Sequence, residues 1–301
     1  MQDQPGTRTE PAEYRHFIFD NRRWERFEHR RGDIIVCTPP KCGTTWMQTI
    51  VNTLLFPNGD LPGPIMEVAP WIDARFEPLE PMLARLDAQE HRRSIKTHTP
   101  ADGIPWYPTA SYIVVGRDGR DAFMSFVNHV QNMRPDVVEA LIGSSILEGI
   151  ELGPPPPFDD LHAFFAEWLA EGALFHHIGT FWTHRGEPNV YFAHYDDLQA
   201  DLEGEMRRVA EFLELDIADD RWPELVERCT FASMKARGDE IGAFDEHFVG
   251  GAQTFFHQGR NGRWRDVLSE AELDAYERRV AELLAPEAAV WLAGRTTALG
   301  S

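Results

Sequence analysis

The nine residues Thr38-Pro39-Pro40-Lys41-Cys42-Gly43-Thr44-Thr45-Trp46 are the chain's densest set of groups suited to an anion. They follow a β-branched run, Asp33-Ile34-Ile35-Val36-Cys37, and precede an apolar pattern of helical period, so they join a strand to a helix N-terminus. Free backbone N–H groups and the helix dipole favour negative charge at such a junction, and Gly43 permits close backbone approach. Lys41 adds a point charge, while Thr44 and Thr45 add hydroxyl donors. The chemistry expected is the binding of a phosphate-like group. The spacing is not that of Walker A, G-x-x-x-x-G-K-[ST], because here the lysine precedes the glycine.

The elements that must position this loop can be read on either side of it. Trp46, Met47, Ile50, Val51, Leu54 and Leu55 recur on one helical face and Pro57-Asn58-Gly59 stops the pattern, which predicts a helix over 44–56. A second unit follows: a strand over 111–115, a turn at Gly116-Arg117-Asp118-Gly119, and a helix over 120–132 with Ala122, Phe123, Phe126, Val127 and Val130 on one face. A third buried strand is expected over 189–193, then a helix from about Ala200 to Leu213. This alternation predicts an α/β protein with a central, mainly parallel sheet flanked by helices, a P-loop-like three-layer fold with right-handed crossovers. Ligands of such sheets sit at the carboxyl ends of the strands. The chain reads as a single domain over its 301 residues, with residues 1–32 as an N-terminal arm. Residues 134–158, ending in the run Pro154 to Pro157, are expected to form a lid or surface excursion.

The loop resembles the phosphosulfate loop of the PAPS-dependent cytosolic sulfotransferases, Tyr-Pro-Lys-Ser-Gly-Thr-Thr-Trp, with Cys42 in the place of the serine. PAPS is 3'-phosphoadenosine 5'-phosphosulfate; its product is PAP. Further segments match in the same order. Lys96-Thr97-His98 is similar to the family's Lys-Thr-His, whose histidine is the catalytic base. Tyr112 to Ser125 looks like its 3'-phosphate strand-turn-helix, with Arg117 and Ser125 eight residues apart. Tyr195, Thr230 and Phe231 fall where the family places adenine-contacting groups, and Gly259-Arg260-Asn261-Gly262-Arg263-Trp264 resembles its C-terminal glycine-rich loop.

The resemblance implies sulfuryl transfer from PAPS to an acceptor hydroxyl, in line between attacking and leaving oxygens, so that catalysis is mostly positioning and charge stabilisation, with no metal needed in principle. Lys41 and the loop N–H groups would stabilise charge growing on the 5'-phosphate. A neutral imidazole at His98 would take the acceptor's proton, and Lys96 would help hold the sulfuryl oxygens. Arg117 and Ser125 would grip the 3'-phosphate, and Trp46 with Phe231 would enclose the adenine. The other histidines, including His176, His177, His184 and His194, read as ordinary hydrogen-bonded side chains.

The sequence departs from the family where Arg-Lys-Gly is usual: here stand His257-Gln258-Gly259. A permanent charge is missing there, to be supplied by Arg260 or by protonated His257, while Gly259 still offers its N–H. The stretch 265–274 only loosely resembles the family's dimerisation segment, and Glu270 puts a charge where an apolar residue is usual, which leaves a homodimer open. Trp71, Phe76, Trp106 and Tyr107 are candidate walls of an acceptor pocket for an apolar or aromatic molecule, a phenol, an alcohol or a glycolipid.

Composition narrows the partners. A formal charge of -20, from 49 acidic against 29 basic residues, argues against nucleic acid and anionic membranes. Three scattered cysteines do not make a disulfide framework, and no stretch approaches a membrane span, so a reducing, cytoplasmic setting is expected. A nucleotide kinase would need Walker A spacing and acidic magnesium ligands; a non-catalytic nucleotide binder would not need both Lys41 and His98.

Overall fold

The computed structural model describes residues 11–294. Four short strands, β1 (Ile34–Cys37), β2 (Ser94–Thr97), β3 (Ser111–Gly116) and β4 (Val190–His194), form one parallel sheet in the order β2-β1-β3-β4. Ile35 pairs with Ile95 on one side and Tyr112 on the other, and Val114 with Phe192. Parallel strands need crossovers that cover both faces, so their side chains are apolar in both directions. Ile35, Cys37, Tyr112 and Val114 enter one core with Phe123, Phe175 and Phe181. Ile34, Val36, Ile113 and Val115 enter the other, with Met47, Ile50, Leu54 and Met206.

Helix α1 (Thr44–Leu55) follows β1, and a helix over Gly119–Gln131 follows β3, each within two residues of its expected bounds. The single helix expected from about Ala200 to Leu213 is two, Tyr195–Ala200 and Leu202–Phe212. They part at Asp201, whose carboxylate accepts from the N–H of Gly204 and caps the second helix. The sequence reading missed β2. This four-residue edge strand offers too short a run for period counting, and its outer side is covered by a single bridge from Trp71 to Lys96.

Half of the segment 134–158 is regular: Pro135–Leu147 is a helix with proline in its first turn, followed by an irregular run through Pro154–Pro157. In the N-terminal arm, residues 1–10 lie outside the described residues. From Pro11 onward the arm is pinned to the core by Trp24 and Phe27 and by a bridge from Phe19 to Ala74, while a bridge from Arg15 to Asp20 closes a turn within the arm. Among the described residues no helix is long and apolar enough to cross a membrane.

Candidate active site

The carboxyl ends of β1, β2 and β3 open into a cavity of about 760 Å³. Its floor is the loop between β1 and α1. Gly43, at φ 100°, is the N-cap of α1, and no side chain caps the helix, so its first N–H groups are left for a ligand. An added Cβ on Gly43 would come within 2.9 Å of the Tyr195 ring, so the position is held to glycine by space as well as by backbone. Lys41 also stands at positive φ, 68°, a conformation costing about 1–2 kcal/mol in an L-residue. That turn aims its side chain into the cavity. Thr38 and Thr44 share a hydroxyl–hydroxyl hydrogen bond of 2.5 Å that ties the strand end to the first turn of α1.

The Lys41 ammonium lies 3.1 Å from Nδ1 of His129 and 4.7 Å from the centre of the Phe255 ring. Burial, then the charges of Lys96 and Arg117, push its pKa down to about 7. Lys96 projects from β2 over the face of Trp71 at 4.2 Å, and burial lowers its pKa to about 8, with Asp73 opposing the shift. His98, just beyond β2, has Nδ1 2.6 Å from the carbonyl oxygen of Thr38. That carbonyl can only accept, so Nδ1 carries the proton and Nε2 is the free base. Burial, and after it the charge of Lys96, hold the His98 pKa well below 6.5, so the ring is neutral at physiological pH. The segment is braced from below by Asp73, fully buried, which accepts from the hydroxyls of Thr97 and Thr99 on either side of His98.

A second cationic group forms where β3 meets the C-terminal loop. Arg117 stacks 4.1 Å from the Tyr195 ring, donates to the carbonyl of Lys41 at 3.1 Å, and gives both Nε and Nη2 to Oδ1 of Asn261. Asn261 is in turn held by Asp196, and the N–H of Gly262 donates to Asp121 at 2.6 Å. Ser125, Gly259, Arg260 and Arg263 also line the cavity. Arg260 is exposed and engaged with Gln258 at 2.9 Å. Arg263 is half-buried, 3.1 Å from His257 Nδ1. Burial and the charges of Arg263, Lys235 and Arg260 lower the His257 pKa, so the protonated His257 entertained from the sequence is disfavoured. Arg263 is a residue that sequence reasoning quoted but gave no role; its place one residue after Gly262 was the available signal.

Much of the remaining wall is apolar, formed by Phe19, Trp71, Phe76, Met133, Phe248 and Phe255 among others, with Glu67, Glu77, Arg85 and Glu246 also lining it. Trp46, Tyr195 and Phe231 line it too, with Trp46 and Tyr195 edge-to-face at 5.3 Å and the Trp46 indole N–H donating to the Cys229 carbonyl. Four expected residues are placed otherwise. The Cys42 side chain is buried in the core, its thiol pushed up to about 12 by burial. The Thr230 hydroxyl caps the helix Phe231–Ala236 through Ser233 N–H. Trp106 stacks between Tyr112 and His184, and Tyr107 on His29; neither lines the cavity. Their aromaticity served core packing, and the sequence held no signal to tell the two uses apart. Conversely, His129 was missed although it lies one helical turn after Ser125.

Among the described residues, no group of three or more His, Cys, Asp or Glu is arranged to hold a metal ion. The sulfotransferase domain family matches residues 31–286. A glycolipid sulfotransferase of Mycobacterium bovis is 37% identical over 94% of this chain and 94% of its own. A rat protein, member D1 of the sulfotransferase 1 family, is 24% identical over 84% of this chain and 83% of its own. A mouse sulfotransferase solved in complex with PAP is 19% identical, covers 89% of this chain and 90% of its own, and superposes with a TM-score of 0.69, which supports the fold. The chain belongs to the PAPS-dependent cytosolic-type sulfotransferases, enzymes that move a sulfuryl group from PAPS to an acceptor hydroxyl.

Proposed function

We propose that the acceptor is an amphiphile with a sugar-like hydroxyl and an apolar body, a glycolipid, and that His98 is the base that deprotonates it. The observation carrying this reading is one cavity in which the same histidine faces both environments: His98 stands in the field of Lys96 and Lys41, and its ring meets Trp71 edge-to-face at 4.6 Å. An acceptor whose apolar body lies along Phe76, Phe248 and Met133 can bring its hydroxyl to Nε2, the ring nitrogen left free by the Thr38 carbonyl. The name of the mycobacterial relative favours a glycolipid over a phenol or a simple alcohol.

The residues present suit PAPS. The uncapped start of α1 with Lys41, Thr44 and Thr45 offers donors to a 5'-phosphosulfate, and Arg117, Ser125 and the Gly259 N–H offer a separate group for a 3'-phosphate. Trp46, Tyr195 and Phe231 supply aromatic walls for a base. Bound there, PAPS supplies the activated sulfuryl group and a good leaving group. Lys41 stabilises negative charge at the leaving side, Lys96 carries its ammonium beside the reacting centre, and His98 accepts the proton as the acceptor oxygen attacks. Arg263, drawn toward the cavity beside Arg117, supplies the permanent charge missing at His257-Gln258 more directly than exposed Arg260 does.

The test is PAP release when the enzyme is given PAPS with a glycolipid bearing free sugar hydroxyls, a fatty alcohol or a phenol, with ATP in place of PAPS as control. The glycolipid is expected to give the highest kcat/KM. Equal or better turnover of the phenol would overturn the acceptor assignment.

A further inference from the structure

The lysine at the centre of the cationic half rests on an uncommon partner. No ion pair with a carboxylate forms at Lys41 among the described residues; its ammonium is 3.1 Å from Nδ1 of His129 and over the Phe255 ring. The groups facing it from other elements are Lys96 and His98 from the β2 end and Arg117 from the β3 end, none of them negative. His129 itself is buried, packed with ring centres 4.8 Å from Phe248 and 6.0 Å from Phe255, which fixes where its nitrogen points. Burial, and after it the charges of Lys41 and Lys96, keep it neutral, so its Nδ1 can serve as an acceptor.

We propose that His129 is a positioning residue for Lys41: its Nδ1 accepts a hydrogen bond from the lysine, which directs that side chain into the cavity before the donor arrives and favours its charged form. Burial and two neighbouring cations favour the neutral amine, which cannot balance a phosphosulfate. An acceptor nitrogen without formal charge opposes that tendency and, unlike a carboxylate, does not compete with the donor's own negative charge for the site. The inference rests on the reading that Lys41 binds the 5'-side of PAPS.

It is tested by calorimetric titration of PAP into the full-length enzyme at pH 6 and pH 8, with thermal melts to confirm folding. His129→Phe keeps a ring of similar shape and removes the acceptor; His129→Asn keeps an acceptor near the place of Nδ1. The expected result is that His129→Phe binds PAP roughly tenfold more weakly than wild type at pH 8 and about twofold more weakly at pH 6, where the lysine is charged with or without its partner. His129→Asn is expected to stay within about threefold of wild type at both pH values. Wild-type affinity in His129→Phe, an equal loss at both pH values, or a loss in His129→Asn matching that of His129→Phe would overturn the proposal. Failure of the wild-type enzyme to bind PAP would instead reject the donor reading of the cavity.

Discussion

The cationic half of the cavity is assembled from strand ends and the loops that leave them, whereas the apolar half is assembled from side chains scattered between Phe19 and Phe255. In the first, backbone geometry does most of the placing: Lys41 is turned inward by its own positive φ, His98 is fixed by the Thr38 carbonyl, and Arg117 by Lys41 and Asn261. In the second, position follows from packing of the arm, the Trp71 segment and the C-terminal helices against one another. A site that must stabilise charge needs donors held to fractions of an ångström, while one that must hold an apolar body needs only volume and surface. The two halves should therefore fail differently when altered.

The largest effect is expected at their junction. His98→Ala should lower kcat by about 10²–10⁴-fold, the usual contribution of a general base, and leave PAP affinity within about twofold. A matching loss of PAP binding would make His98 a structural member of the cationic half. Arg117→Ala should weaken PAP binding by about 10–100-fold while changing the affinity for a nucleotide lacking the 3'-phosphate by less than about threefold, as read by competition binding. Equal losses for both nucleotides would show that Arg117 acts only through its bond to Lys41.

A smaller effect is expected on the other side. Phe76 is 36% exposed and touches Trp71 and His247, so Phe76→Ala should cost little stability. It should raise KM for an apolar acceptor by about tenfold and leave PAP affinity alone. Unchanged acceptor KM would remove Phe76 from the pocket. The smallest signal is a proton count. At pH 8 free Lys41, with its pKa lowered to about 7, is mostly neutral; it is charged below that value and loses its charge as pH rises through it. A bound polyanion restores the charge, so PAP binding at pH 8 should take up protons, detected as a dependence of the calorimetric enthalpy on buffer ionisation. Lys96, lowered to about 8, adds to the same uptake. No dependence on buffer would mean that both lysines are already charged in the free enzyme.

The same contrast decided what the sequence could reveal. Local signals placed much of the cationic half: the strand-loop-helix around Lys41 and the turn at Arg117 lie where chain direction and period change within a few residues. The strand β2 escaped because four residues at a sheet edge leave no pattern to count, although the chemistry-bearing residues at its end were recognised from the family resemblance. Trp106 and Tyr107 carry the same apolar aromatic character as Trp71 and Phe76, and only long-range packing sends one pair into the core and the other into the cavity. His129 and Arg263 gained their places from contacts spanning 88 and 139 residues of chain, to Lys41 and Met124, which no local period encodes.

The most direct test is a crystal structure of the enzyme with PAP. The 5'-phosphate is expected at the start of α1 within hydrogen-bond reach of Lys41 and the 3'-phosphate against Arg117 and Ser125, with His98 facing the space left for the acceptor. PAP bound with its phosphates exchanged between these groups, or bound outside the cavity, would contradict that assignment.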